Sequence, residues 1–332
     1  MLALTLELID SLLLLALGQG NALSAASDLP AALDILARLI AGIQKSGKRG
    51  GIRKNLYRII LIASRIIDRS NDLELTLAST VLLTRLCEDR MLEMSRSDVS
   101  LVLNAVAFLA AKHNPLNSSS KADSYLNIDD FFDAICRLLT AILSHRREPL
   151  VDSIPSFVGV LRGLMHCFRQ DLGGIKASSA TDSTSMFIKT PYSCFAKSRL
   201  KNPVAAAESL GRIFEKMGQK SSASASVQSA STGQASLQSA TAATVRPFSK
   251  HAGFLVSEYV SIQASMSPLP APVKSALIRG VYALLDLSGD FGRQAVLAGL
   301  DALQGMGSAA KLVFKELVAD WDRHSFGRKA KD

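Results

Sequence analysis

Between Lys250 and Phe326, apolar residues recur every three or four positions, and prolines and glycines interrupt the pattern. Such spacing puts apolar side chains on one face of a helix, whereas a half-buried strand alternates apolar and polar residues. The interruptions are Pro268, Pro270, Pro272, Gly289, Gly305 and Gly307. Because these residue types end or begin helices, the segment is predicted to form four short helices.

Local signals predict where these helices begin and end. Pro272 suits the first turn of the second helix, where its missing N–H leaves no hydrogen bond unmade. Gly289 is expected to end that helix in a left-handed cap, and Asp290 and Ser308 are expected to cap the third and fourth. Four amphipathic helices with short connections must bury their apolar faces on one another, which predicts a stack of helix pairs.

Helical spacing also runs through the preceding sequence. Helix pairs that repeat about every 40 residues are typical of HEAT and armadillo arrays. We therefore predict an all-α, HEAT/armadillo-like α-solenoid. Its helical repeats are expected in residues 1–113, and a second domain is expected over residues 128–326.

Two segments of the second domain lack this spacing. Residues 171–199 are rich in Gly, Ser and Thr, and a loop of this length inside a domain is typically functional or flexible. Residues 219–246 consist mainly of Ser, Ala, Gln and Thr, with no charged residue between Lys220 and Arg246. Because such a run cannot bury enough apolar surface to offset its ordering entropy, we predict a disordered low-complexity linker.

The composition is that of a folded protein, since 48% of the 332 residues are hydrophobic. The apolar N-terminus, MLALTLELIDSLLLLALGQG, is interrupted by Glu7 and Asp10 and lacks a positively charged start. It is therefore interpreted as a buried helix whose packing partner lies upstream of this sequence, and not as a signal peptide or membrane span. We expect no contact with a membrane.

No grouping of residues predicts a catalytic, metal or cofactor site. Cys87, Cys136, Cys167 and Cys194 are far apart, which favours buried free thiols in a reducing compartment. His166 is adjacent to Cys167, but neighbouring helical residues point to different faces, so the pair is a poor metal site. We predict a non-enzymatic protein without cofactor or small-molecule substrate.

The segment from Gly42 to Arg49, GIQKSGKR, has the glycines and the lysine of a phosphate-binding loop. However, Arg49 stands where Ser or Thr would hold magnesium, and the segment follows a predicted helix, not a strand. A nucleotide site is therefore not predicted.

The net charge of +9 favours an acidic partner such as RNA or an acidic protein surface. The candidate RNA contacts form two basic groups. They are Lys45, Lys48, Arg49, Arg53 and Lys54 in one group, and Arg323, Arg328, Lys329 and Lys331 in the other.

Glycines around the first basic group would let the backbone approach a phosphate chain while the side chains neutralise it. A solvated loop between helices is the alternative explanation, because charged side chains generally face water. Aromatic residues are only 6% of the chain and mostly lie on predicted apolar helix faces. We therefore expect any RNA to be contacted through its backbone and shape, and not by base stacking.

Three runs near the C-terminus carry a family resemblance: KHAGFLVSEYVSIQ, LPAPVKSALIRGVYALLDLSG and KLVFKELVADWDRH. They resemble the C-terminal domain of a nucleolar pre-rRNA processing family, unhealthy ribosome biogenesis protein two. The matching positions are His251, Ala252, Tyr259, Val273, Ala276, Leu277, Gly280, Tyr282, Leu284, Leu285, Asp286, Asp320, Trp321 and Asp322.

A weaker resemblance extends back to about Ile128, and the Ser/Ala/Gln-rich linker looks like an insertion between matched segments. Because the family's proteins are much longer, the resemblance implies that this chain is the tail of a larger array or of a truncated product.

The resemblance implies a non-catalytic scaffold in the nucleus, specifically the nucleolus. Such a scaffold would support pre-rRNA processing during assembly of the large (60S) ribosomal subunit. The implied partners are early large-subunit assembly factors, including unhealthy ribosome biogenesis protein one, with pre-rRNA as a further candidate. The N-terminal half alone equally fits the alternative, a helical adaptor in transport or trafficking unrelated to ribosomes.

Overall fold

The computed structural model describes residues 7, 23–46, 50–69, 73–111, 128–169, 200–219, 248–265, 268–301 and 307–329. These residues contain ten α-helices and a short 3₁₀ helix, Val151–Ser153, and no strand. The α-helices are α1 (Leu23–Ser46), α2 (Gly50–Arg69), α3 (Leu73–Glu88), α4 (Arg96–Ala111), α5 (Ile128–His145), α6 (Ile154–His166), α7 (Pro203–Gly218), α8 (Ser249–Ala264), α9 (Ala271–Asp301) and α10 (Gly307–Lys329). The prediction of an all-α fold is confirmed.

Several predicted segments lie outside the described residues. They are the N-terminal apolar helix apart from Glu7, the loop at 171–199, and the linker at 219–246 apart from Gln219. The described residues divide into two compact units. One contains the described residues up to Gly163 together with residues 200–202, and the other contains residues 164–169 and those from Pro203 onward.

Helices of the first unit stack in alternation. Helix α1 packs on α3, α3 packs on α5, and α2 packs on both α3 and α4. Alternating contacts of this kind place α1, α3 and α5 in one row and α2 and α4 in another, as in a helical-repeat array. The buried face of α2 shows why the sequence folds this way. Ile52, Leu56, Ile59, Ile60, Ala63, Ile66 and Ile67 recur at helical spacing and are almost completely buried.

The end of α3 is held by Arg146, a buried residue that follows α5 and is only 5% exposed. Its Nε donates to the Cys87 carbonyl at 3.1 Å, its Nη1 to Leu92 at 2.5 Å, and its Nη2 to Leu86 at 3.1 Å. Nη2 also donates to the carbonyl of Asp89. The last carbonyls of a helix have no partner within the helix, and here one guanidinium donates to two of them, those of Leu86 and Cys87.

Helix α9 is the centre of the second unit, where it packs against α7, α8 and α10. The four helices predicted from Lys250 to Phe326 correspond to α8, the two parts of α9, and α10. The break within α9 lies at Gly289, as predicted, but the conformation differs from a left-handed helical cap. Its φ of 64° and ψ of −172° combine a positive φ with an extended ψ, which is accessible essentially only to glycine.

Two glycines let the backbones of α7 and α9 touch. A Cβ atom added to Gly280 would lie 2.5 Å from the carbonyl oxygen of Gly211 and 2.8 Å from its Cα. A Cβ atom added to Gly211 would lie 3.3 Å from the carbonyl oxygen of Ala276. The crossing of α7 and α9 therefore depends on the absence of a side chain at position 280.

Candidate nucleic-acid interface

The described members of the first basic group belong to two helices. Lys45 is exposed at the end of α1, and Arg53 and Lys54 are exposed in the first turns of α2. Lys48 and Arg49 lie outside the described residues. The prediction of a solvated loop therefore does not hold for Arg53 and Lys54, because α2 already begins at Gly50.

The exposed face of α2 extends this group. Along this face lie, in order, Lys54, Arg58, the half-buried Leu61 and Arg65. Successive members of this row are four, three and four residues apart. This spacing puts them on one side of the helix, away from the buried stripe. We call Arg53, Lys54, Tyr57, Arg58 and Arg65 the α2 basic face. Sequence analysis missed its last three members, although their helical spacing after Lys54 is visible in the sequence.

The charge of α2 is strongly unbalanced. Its twenty residues include Arg53, Lys54, Arg58, Arg65 and Arg69 but only one acid, Asp68. In the part of the chain that the structure describes, neither Lys54 nor Arg65 makes an ion pair. These cations are therefore available to an anionic partner, which would release their counterions on binding.

Tyr57 gives this face an exposed aromatic ring, since the residue is 59% exposed. Phe131, Phe157 and Tyr259 are fully buried or nearly so, whereas Phe254 and Phe291 on other helices are also exposed, at 63% and 85%. Arg53 lies one turn before Tyr57, and its Nη2 donates to the carbonyl of Met91 at 2.9 Å. The backbone of Met91, a residue that is 60% exposed, therefore lies at the Arg53 end of the α2 basic face.

In the second basic group, only Arg323 has a described side chain. Arg323 is exposed on α10, where its Nη2 contacts Asp320 and its Nε donates to the carbonyl of Ala319 at 3.4 Å. Arg328 and Lys329 belong to α10, but their side chains are not among the described ones, and Lys331 lies outside the described residues. The α2 basic face is therefore the better-defined candidate.

Two matching positions of the C-terminal runs, Asp286 and Trp321, meet where α10 packs against α9. Nε1 of Trp321 donates to Oδ1 of Asp286 at 2.9 Å. Cζ of Arg293 lies 4.5 Å from the centre of the Trp321 ring, and Arg293 also pairs with Asp290. These contacts hold α10 against both parts of α9 across the break at Gly289.

Chemically reactive residues are not gathered in the described part of the chain. No three histidines, cysteines or acidic residues there are placed to hold a metal ion. His166 contacts Glu258, with 2.5 Å between Nε2 and Oε1. Within the described residues, no helix combines the length and the apolar character needed to cross a membrane.

The thiols of Cys87, Cys136 and Cys167 are buried, and Cys194 lies outside the described residues. Burial raises the pKa of Cys87 to about 12 and also raises the pKa of Cys136. A raised pKa lowers the fraction of the reactive thiolate at a given pH.

We therefore expect iodoacetamide at pH 8 to leave Cys87 and Cys136 unmodified in the folded chain. Mass spectrometry of peptides from the folded chain and from the chain in concentrated urea would test this, because unfolding exposes every thiol. Modification of Cys87 or Cys136 at the same rate in both samples would contradict it.

Comparison with known proteins agrees with the resemblance of the C-terminal runs. The model of the Urb2/Npa2 family matches residues 77–328, which is more than half of the chain. Searches of curated proteins and of solved structures gave no match. The matched region includes Gly280, Asp286 and Trp321, whereas the α2 basic face precedes it. The chain therefore belongs to the Urb2/Npa2 family, a family of ribosome biogenesis factors.

Proposed function

We propose that this chain is a non-catalytic scaffold in the nucleolus that supports pre-rRNA processing during assembly of the large ribosomal subunit. The observation that carries the proposal is the family match over residues 77–328, which falls on stacked helices. Stacked helices offer extended surfaces on which several partners can bind at once.

Two grooves support a role in holding proteins. One lies between α3 and α5, where Leu77, Val81 and Ala134 are apolar and Arg85 and Arg137 are charged. Its volume is about 430 Å³. The lining also includes Glu88, Asp130 and Asp133, and a mixture of apolar side chains and charges of both signs suits an amphipathic helix or an extended peptide.

The second groove lies on α1, where Ile35, Leu39 and Ile43 follow at four-residue spacing beside Arg38 and Gly42. We propose that early large-subunit assembly factors bind such surfaces, including unhealthy ribosome biogenesis protein one. Pre-rRNA is proposed to contact the basic groups at α2 and α10. Simultaneous binding at several weak surfaces would raise the overall affinity through the high effective concentration of each tethered partner.

Tagging the chain in cells and purifying it with its partners would test this proposal. We expect nucleolar localisation and co-purification of precursors of the large-subunit rRNA together with large-subunit assembly factors. A tagged helical-repeat protein of unrelated function serves as the control, since it should recover neither. A purely cytoplasmic pool without rRNA would contradict the proposal and favour the alternative, an adaptor in transport or trafficking.

A further inference from the structure

Tyr57 presents an aromatic ring on the α2 basic face. Its ring is mostly exposed, whereas the neighbouring stripe of α2 from Ile52 to Ile67 is buried against other helices. Residues three and four apart on a helix are neighbours, which places Arg53 and Lys54 beside the ring on one turn. Arg58 follows Tyr57 directly. The ring therefore has two cations beside it on one turn and is left open to a ligand.

The cations extend along the helix from this ring. The rise of an α-helix places Lys54 and Arg58 about 6 Å apart along the axis, and Lys54 and Arg65 about 16 Å apart. A row of this length spans several successive charges of an anionic chain. The hydrogen bond from Arg53 to the Met91 carbonyl brings the backbone of Met91 to the same end of the row.

A combination of exposed ring and row of cations suits single-stranded nucleic acid. Proteins bind such strands by neutralising the backbone with basic residues and stacking bases on aromatic rings. In a duplex the base faces are already stacked, so the Tyr57 ring would find no base to contact. An acidic helical peptide would need an apolar groove, and the grooves described above lie on α1 and between α3 and α5.

We infer that the α2 basic face binds single-stranded RNA, with Tyr57 stacked on a base and Lys54, Arg58 and Arg65 contacting phosphates. This inference deepens the proposed function and rests on it, because it names the form of RNA that the scaffold holds. It also differs from the expectation from sequence that bases are not stacked.

Fluorescence anisotropy of the full chain with a labelled twelve-nucleotide uridine RNA would test the inference. We expect Tyr57→Ala to weaken binding by roughly 5- to 100-fold, because one base loses its stacking partner. Tyr57→Phe keeps the ring and is expected to bind like the wild type. A blunt-ended RNA duplex of twelve base pairs, which has no unpaired base, should bind more weakly and should not respond to Tyr57→Ala.

The cations are tested by salt dependence. The double variant Lys54→Gln and Arg65→Gln should reduce the slope of log affinity against log salt by about 1.4, since each lost phosphate contact removes about 0.7. The matched control is Lys274→Gln with Arg279→Gln, which removes one exposed lysine and one exposed arginine from α9. This control should leave both the affinity and the slope unchanged.

The inference is overturned if Tyr57→Ala binds the uridine RNA like the wild type, or if the α9 control weakens binding as much as the α2 double variant. Equal competition by a polyglutamate peptide of the same charge would also overturn it, because the face would then select charge alone. These binding tests can fail while the proposed function still holds, because the chain could act in pre-ribosomal particles without binding RNA through α2. A wild-type chain that is absent from pre-ribosomal particles contradicts the proposed function whatever its affinity for RNA.

Discussion

Replacing Gly280 by alanine is expected to destabilise the second unit by about 3 kcal/mol. Two effects oppose each other. Alanine favours a helix over glycine by up to about 1 kcal/mol, but its Cβ would lie 2.5 Å from the backbone of Gly211. Backbone atoms of a packed helix cannot rotate away from a clash as the end of a flexible side chain can. Helices α7 and α9 must therefore move apart to make room for the added Cβ. The clash therefore outweighs the gain in helix propensity.

Urea unfolding followed by tryptophan fluorescence would measure this change. Trp321 is the only tryptophan in the chain, and its contacts with Asp286 and Arg293 make it a reporter of the second unit. Gly299→Ala is the matched control in the same helix, since a Cβ atom at Gly299 meets nothing within 4 Å. The control is expected to stabilise the unit by up to about 1 kcal/mol. Equal unfolding midpoints for the two variants would contradict the prediction.

Replacing Arg146 by alanine is expected to destabilise the first unit by about 3 kcal/mol or more. The substitution removes one donor from each of four backbone carbonyls at and beyond the end of α3, although the Asp89 carbonyl still accepts from the Leu92 N–H at 3.0 Å. Buried acceptors that lose their partners cost far more than a lost surface contact. Arg146→Lys keeps the positive charge but not the planar set of donors, so we expect an intermediate loss.

Hydrogen exchange would measure this effect locally. We expect amides from the last turns of α3 through residue 95 to exchange faster in Arg146→Ala, because this segment loses its anchor. Arg137→Ala provides the control, since the side chain of Arg137 is 74% exposed and pairs with Asp133 at 2.6 Å on the surface. Its loss should cost less than about 1 kcal/mol. Unchanged protection in Arg146→Ala would show that the carbonyls find other donors.

Helix positions were predictable because helices depend on residues close together in the sequence. The spacing of apolar residues and the breakers between them predicted α8, both parts of α9, and α10. The break at Gly289 was predicted for the same reason, since glycine adopts a positive φ without strain. Its extended ψ was not, because the packing of the two parts of α9 decides that angle.

The candidate site was predictable only in part. Sequence reasoning found the cations near Lys54 but placed them in a loop, and it did not follow the helical spacing onward to Arg58 and Arg65. The exposure of Tyr57 was not evident from the sequence, because tyrosine occurs both in cores and on surfaces. Which of the two applies depends on which helices cover α2.

The sequence by itself determined that the chain is helical, where many of its helices begin and end, and to which family it belongs. Only the tertiary structure decided that Arg146 holds the end of α3, that Gly211 and Gly280 bring two helices into contact, and that one face of α2 stays open. These features join residues far apart in the chain or depend on what packs nearby. Local sequence patterns do not predict such contacts, because burial and hydrogen bonding depend on the partners that the folded chain brings together.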